Sequence, residues 1–151
     1  MVFDLEPLIS IVINCFNGEK HLPRAIESVL DQSYNNWELV FWDNKSTDNS
    51  SKIFKNYNDE RMNYYSAPFH TNLSEARNRA VKKTNGKWIS FLDCDDYLAK
   101  DKLELQVDII NKNIHNLGLI YGITKSVVME SEINTRFGKK FQNNISTNLP
   151  N

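Results

Sequence analysis

Cysteine is scarce: Cys15 and Cys94 are the only two in 151 residues. That number excludes a disulfide framework and suits a reducing compartment. Charge of one sign is missing too, since 18 basic and 19 acidic residues leave a net charge of -1. No nucleic-acid partner is expected from that balance. No run approaches 18 apolar residues, and Met1-Val2-Phe3-Asp4-Leu5-Glu6-Pro7 has neither the basic start nor the apolar stretch of a secretory leader. The expectation is a soluble cytoplasmic chain. Glycine-rich phosphate loops are absent as well. Asn17-Gly18-Glu19-Lys20, after the first apolar run, supplies one glycine where a dinucleotide turn needs three, and Gly86-Lys87-Trp88 leads into a strand pattern rather than a phosphate-loop helix. A phospho-acceptor receiver would carry an acid pair where this chain has Asn14-Cys15-Phe16.

What is present alternates. Leu8 to Asn14 is almost unbroken, β-branched and apolar, as in a strand buried on both faces. Leu22, Ala25, Ile26, Val29 and Leu30 then recur at helical spacing. Trp37 to Trp42 reads as a second strand closing on Asp43, and Ser46-Thr47-Asp48 offers N-caps for a helix carrying Ile53, Phe54 and Tyr57. Met62 to Ser66 is a short, polar, edge-like third strand. Asn72 with Glu75 resembles a capping box for a helix through Ala76, Ala80 and Val81, which Asn85-Gly86 ends. Lys87 to Leu92 reads as a buried fourth strand, and Leu103, Val107, Ile110 and Ile114 mark a last helix. Alternation of this kind predicts an α/β fold: a mainly parallel sheet with right-handed crossovers and helices on both faces. One domain is expected over residues 1–130, with Ile123 to Met129 as a further strand candidate, followed by a polar, Asn-rich tail over 131–151.

The chemistry gathers behind the strands. Asp93-Cys94-Asp95-Asp96 places three carboxylates in four positions after an apolar run. Such charges repel unless a hard cation or a donor shares the space, and a cap accounts for one of them at most. Asn14-Cys15-Phe16-Asn17 and Asp43-Asn44 end two other strands. In a parallel sheet all three clusters face one crevice at the carboxyl edge, where α/β folds bind ligands. An aromatic ring, amide and carboxylate hydrogen-bonders, and an acidic metal site suit a nucleotide diphosphate. Each residue also has a plain structural reading: Phe16 as core, Asp43 as a brace for the Ser46-Thr47 turn, Asn17 holding a turn with Gly18. Trp37, Trp42 and Trp88 read as core, and His21, His70 and His115, widely spaced, as ordinary surface or core histidines.

Five blocks in order resemble the family 2 glycosyltransferases of GT-A, Rossmann-like fold. They are Pro7 to Asn17, Ala25 to Tyr34, Asp43 to Asp48, Ala76-Arg77-Asn78, and Phe91 to Asp96. The resemblance covers about Pro7 to Leu105. It implies a nucleotide-diphosphate sugar donor, with a UDP-sugar favoured, and a divalent ion, Mg²⁺ or Mn²⁺. It further implies inverting transfer to a hydroxyl of a saccharide or lipid-linked acceptor, in surface polysaccharide or glycoconjugate synthesis, with peripheral association at the inner membrane face as a second location. Carried over, Phe16 stacks on the base with Asn14 beside it, and Asp43 and Asn44 face the base edge. Arg77 approaches the diphosphate, Asp93 and Asp95 line the ribose and metal region, and Asp95 and Asp96 bind the metal.

Two positions depart from the family pattern: Asn14 stands where proline is usual, and Asn44 where a second aspartate is usual. An amide donates as well as accepts, so Asn44 changes the hydrogen-bond pattern on which uracil preference rests. The resemblance also implies an acceptor-binding half beyond this sequence, and with it the general base. Glu130 and Glu132 are the only late acids near the expected edge, and, standing in no recognisable base motif, they read first as solvated charges on a terminal segment. The competing expectation is a donor-binding module that binds nucleotide sugar without completing transfer.

Overall fold

The structure is a computed structural model describing residues 6–113 and 117–120. Ile114, His115, the Ile123 to Met129 strand candidate, Glu130, Glu132 and the 131–151 tail lie outside the described residues. The described elements are β1 (Ile9–Cys15), α1 (Leu22–Leu30), β2 (Trp37–Asp43), α2 (Ser50–Lys55), β3 (Met62–Ser66), α3 (Leu73–Val81), β4 (Trp88–Asp93) and α4 (Lys102–Asn113). They lie within a compact unit that closes at Gly118.

The four strands run in the order β3-β2-β1-β4, and every pairing is parallel. β1 and β2 are central and buried at every position, as their apolar runs require. β3 forms one edge, in keeping with its polar sequence. On one face Phe41 of β2 stacks on Phe54 of α2 at 4.4 Å between ring centroids. α4 is tied to the segment after α1 through Gln32, whose side-chain Oε1 accepts from the Leu103 amide. On the other face Ala76 and Ala80 of α3 pack on Val12, Val40 and Trp42. Helices therefore cover both faces. The alanines let α3 lie close, so that its polar side chains reach the strand ends.

Four expectations need correction. β4 is not buried on both faces: Ile89 and Phe91 are 40% and 48% exposed, because β4 is an edge among the described residues and α3 covers β1 and β2 instead. Trp88 is accordingly only half-buried, whereas Trp37 and Trp42 are core. The N-cap of α2 is Asn49, one residue beyond the expected Ser46-Thr47-Asp48, although Asp48 still accepts the Ser50 amide. Asn85-Gly86 does not cap α3, which ends at Lys82; Gly86 has no positive φ and instead joins Asn85 in binding Glu38. The Asn72 cap is as expected, its side chain accepting the Glu75 amide at 2.9 Å.

Candidate functional site

The loops after β1 and β2 are laced into one floor. Asn17 Oδ1 accepts the Thr47 amide at 2.8 Å, while the Asn17 amide donates to Ser46 Oγ at 3.1 Å. Farther along, Gly18 donates to Ser50 Oγ, Glu19 donates to Asp48 Oδ2, and Glu19 Oε2 accepts the Asn49 amide. Asn17 (φ 55°) and Lys45 (φ 70°) both sit in the left-handed region. That conformation costs a non-glycine residue on the order of 1 kcal/mol, and at Asn17 the reciprocal bonds to Ser46 and Thr47 hold it in place.

Asp43 and Asn44 stand in the wall, but their side chains face inward. Asp43 is 3% exposed; Oδ1 accepts the Ser46 amide at 2.8 Å and Oδ2 accepts the Tyr64 hydroxyl at 2.7 Å. Asn44 Oδ1 accepts both the Thr71 amide and its hydroxyl, and Nδ2 donates to the Thr71 carbonyl at 2.7 Å. Both acceptor sites of that amide oxygen are filled. Through these bonds Asp43 and Asn44 position the Ser46 turn and the 70–71 loop at the wall of the site. His70 is held by that loop, its Nδ1 3.1 Å from the Asn44 carbonyl, and its ring lies 4.1 Å from the exposed Phe16 ring. Phe16 is thus not core. With His70 it forms an aromatic wall open to a ligand.

The acidic turn lies across β1. Asn14 pairs in register with Trp42 on one side and Asp93 on the other. Arg77, reaching from α3, makes a 2.5 Å ion pair with Asp93. Asp96 donates its amide to the Asp93 carbonyl at 3.0 Å, closing a turn that leaves the Asp95 and Asp96 side chains exposed. Partial burial, and then the charges of Asp95 and Asp93, raise the Asp96 carboxyl above the ordinary aspartate range. Asn14 is buried, and among the described residues its Oδ1 has no hydrogen-bond partner, nor do the buried Trp42 Nε1 and Arg77 Nε.

Among the described residues no three His, Cys, Asp or Glu side chains converge as a ready metal cage. The acids are instead split: Asp93 pairs with Arg77, whereas Asp95 and Asp96 stand in none of the ion pairs of the described residues. Two exposed carboxylates with unrelieved repulsion fit a hard cation that takes its remaining ligands from water and phosphate.

Cys15 and Cys94 meet beneath this turn. Cys15 is buried and Cys94 half-buried. The hydrogen bond from Cys94 brings the Cys15 thiol down to about 7, against the effect of burial. The same contact, followed by burial, pushes Cys94 up.

The glycosyl transferase family 2 model matches residues 10–148. The chain belongs to that family. Among curated relatives it is 41% identical, over 109 residues, to an uncharacterized glycosyltransferase of Haemophilus influenzae, covering 71% of this chain and 44% of that protein. It is 36% identical, over 115 residues, to an Escherichia coli protein named UDP-Glc:alpha-D-GlcNAc-diphosphoundecaprenol beta-1,3-glucosyltransferase WfgD, covering 76% of this chain and 45% of that one. This family 2 chain thus spans less than half the length of these relatives. Among solved structures, S. aureus TarS 1-349 in complex with UDP-GlcNAc superposes with a TM-score of 0.69 at 24% identity, over 84% of this chain and 38% of that one. A Pyrobaculum calidifontis mannosyltransferase in complex with GDP-Man and Mn²⁺ gives 0.65 at 19% identity, over 70% of this chain and 32% of that one. Likeness at that identity establishes the GT-A, Rossmann-like fold.

The sequence of this family 2 chain does not point to Thr71, and His70 reads there as an ordinary histidine. A signal existed: the loop after β3 opens at the same edge of a parallel sheet as the other three. Among the described residues no helix is long and apolar enough to cross a membrane.

Proposed function

We propose that this chain is the donor-binding part of a metal-dependent, inverting glycosyltransferase that takes a sugar from a nucleotide-diphosphate sugar, with a UDP-sugar favoured. The observation that carries the reading is the convergence, at one edge of the sheet, of the Phe16–His70 wall, the Arg77–Asp93 pair and the exposed Asp95–Asp96 carboxylates. These groups match the three parts of such a donor. Phe16 offers its face to the base. Asn14 Oδ1, buried and unpartnered, offers an acceptor beside it. Arg77, fixed by Asp93, carries positive charge toward the diphosphate, and Asp95 and Asp96 would hold Mg²⁺ or Mn²⁺. A cation there supplies charge neutralisation to the leaving diphosphate.

In the transfer, the oxygen of an acceptor hydroxyl attacks the anomeric carbon from the side opposite the diphosphate. The carbon–oxygen bond to the diphosphate breaks as the new glycosidic bond forms, and the configuration inverts. A general base takes the hydroxyl proton; Glu130 and Glu132 are this sequence's candidates. Relatives named for teichuronic acid and lipid-linked glucosyl transfer favour a saccharide or lipid-linked acceptor in polysaccharide synthesis, at the inner face of the membrane. The short span against those relatives favours the second reading, a donor-binding module that does not complete transfer alone.

Calorimetric titration with UDP, UDP-sugars and GDP, with and without Mn²⁺, tests the donor reading. Mn²⁺-dependent binding of a nucleoside diphosphate is expected. Its absence from a folded chain would reject the reading. Adding a lipid-linked acceptor and assaying sugar transfer separates the enzyme from the module.

A further inference from the structure

The two cysteines of this chain are adjacent in space although 79 positions separate them in sequence. β1 and β4 pair in parallel with Asn14 opposite Asp93, and one further step along that register sets Cys15 beside Cys94. Neighbouring strands lie about 4.8 Å apart, inside the Cα separation that a disulfide accepts. The side chains also point the same way. An atom placed at the missing Cβ of Gly18 would lie 2.8 Å from Cys94 Sγ and 2.9 Å from Cys15 Sγ. Glycine at position 18 therefore leaves room for both sulfurs against the backbone. Cys15 is sealed in the core, while Cys94 is half-buried, so an oxidant from solvent meets Cys94 first.

We propose that Cys15 and Cys94 form a redox-closable dithiol in the wall of the donor site, joined by a small-molecule disulfide such as oxidised glutathione, and that the closed form binds nucleotide diphosphate more weakly. The Cys94 sulfur, the one open to solvent, attacks the small disulfide as its proton passes to the neighbouring Cys15 thiolate, breaking the S–S bond and releasing one small thiolate, which takes up a proton from water. The Cys15 sulfur then attacks Cys94, displacing the second thiol. Two protein S–H bonds and one S–S bond are exchanged for one protein S–S bond and two small thiols, so atoms and electrons balance. The new bond fixes the sulfurs at about 2.05 Å, closer than a hydrogen bond allows. Cys15 is joined directly to Phe16, and Cys94 to Asp95. Drawing the sulfurs together moves the aromatic wall and the acidic turn relative to each other. This second half of the proposal rests on the donor-site reading; the bond itself does not.

The test uses the whole 151-residue chain. It is incubated with oxidised glutathione, quenched with acid, and weighed intact before and after dithiothreitol. A species lighter by two hydrogens, with one peptide cross-linked from Cys15 to Cys94 and the mass restored by dithiothreitol, is expected. Cys94→Ser should never give that species. Glutathione adducts alone on the unaltered chain, or no change, would overturn the bond. UDP is then titrated with Mn²⁺ into the reduced and closed forms. A loss of affinity on the order of tenfold is expected on closure, regained on reduction, as a displacement of site groups by a fraction of an ångström to an ångström would produce. Equal affinity would overturn the switch and leave the bond standing. No binding by the reduced chain would reject the donor reading and the switch together, while the mass measurement still decides the bond.

Discussion

The two ends of the sheet both carry acids and treat them in opposite ways. At the amino end, Glu38 is buried between Ser10 and the Asn85-Gly86 turn. Its Oε1 accepts from Ser10 Oγ at 2.6 Å and from the Asn85 amide, and its Oε2 from Asn85 Nδ2 at 2.9 Å. Burial alone would raise this carboxyl, but the hydrogen bonds from Ser10, Asn85 and Gly86 outweigh it and hold Glu38 below its ordinary range. At the carboxyl end Asp96 is raised, and neither it nor Asp95 has a cation beside it in the ion pairs of the described residues. A carboxylate surrounded by donors stabilises the fold. One left among like charges adds repulsion and waits for a positive partner. The comparison teaches that satisfaction, more than burial or position, separates structural acids from candidate binding acids in this chain.

The largest effect expected from breaking that contrast is at the satisfied end. Glu38→Ala strands the Ser10 hydroxyl hydrogen and the Asn85 backbone and side-chain amides, and should lower stability by about 3 kcal/mol or more in urea titration. Gly86→Ala should be comparably severe, since an added Cβ would sit 2.6 Å from both the Leu8 carbonyl oxygen and Ser10 Oγ. A loss below about 1 kcal/mol for both would remove the structural role assigned to this end.

Asn44→Asp should lie between the extremes. It sets a carboxylate oxygen against the Thr71 carbonyl, where Nδ2 now donates. A loss of about 1–2 kcal/mol is expected, with a shift of the His70 loop visible in amide spectra. Unchanged stability together with a changed nucleotide ranking would return Asn44 to the base edge.

The smallest stability effect belongs to Asp96→Ala, within about 0.5 kcal/mol, because an exposed, repelled carboxylate is removed. Acid titration sharpens the same contrast. Glu38 is depressed in the fold, so its contribution is present above the ordinary glutamate value of about 4.3 and is lost as pH falls through the lower folded value. Asp96 has the opposite sign: its raised carboxyl takes up a proton before an ordinary aspartate does. Mn²⁺ affinity should therefore fall on acidification above the pH at which the fold weakens. Stability and Mn²⁺ affinity declining together would merge the two ends.

Much of this was readable in the sequence because it rests on local pattern. The β-branched runs of β1 and β2, the helical stripe of α1 and the Asn72 cap are set by neighbours a few residues away. The meeting of three strand ends followed from alternation alone. What escaped depends on partners far along the chain. Asn44 looks free until Thr71, 27 positions on, fills its amide. Glu38 is an unremarked strand residue until Asn85 reaches it across 47 positions. β4 reads as a doubly buried strand because apolar composition does not say which neighbour covers it, and here Ile89 and Phe91 stay open. His70 becomes part of the site through a ring contact with Phe16 that no spacing encodes.

The central claim is that the unsatisfied acids at the carboxyl end serve binding and not folding. Parallel calorimetric titrations of UDP, with and without Mn²⁺, into the unaltered chain and Asp96→Ala test it most directly, with urea unfolding of both run alongside. Mn²⁺-dependent binding by the unaltered chain, its loss in Asp96→Ala, and coincident unfolding curves are expected. Undiminished Mn²⁺-dependent affinity in a folded Asp96→Ala chain would contradict it.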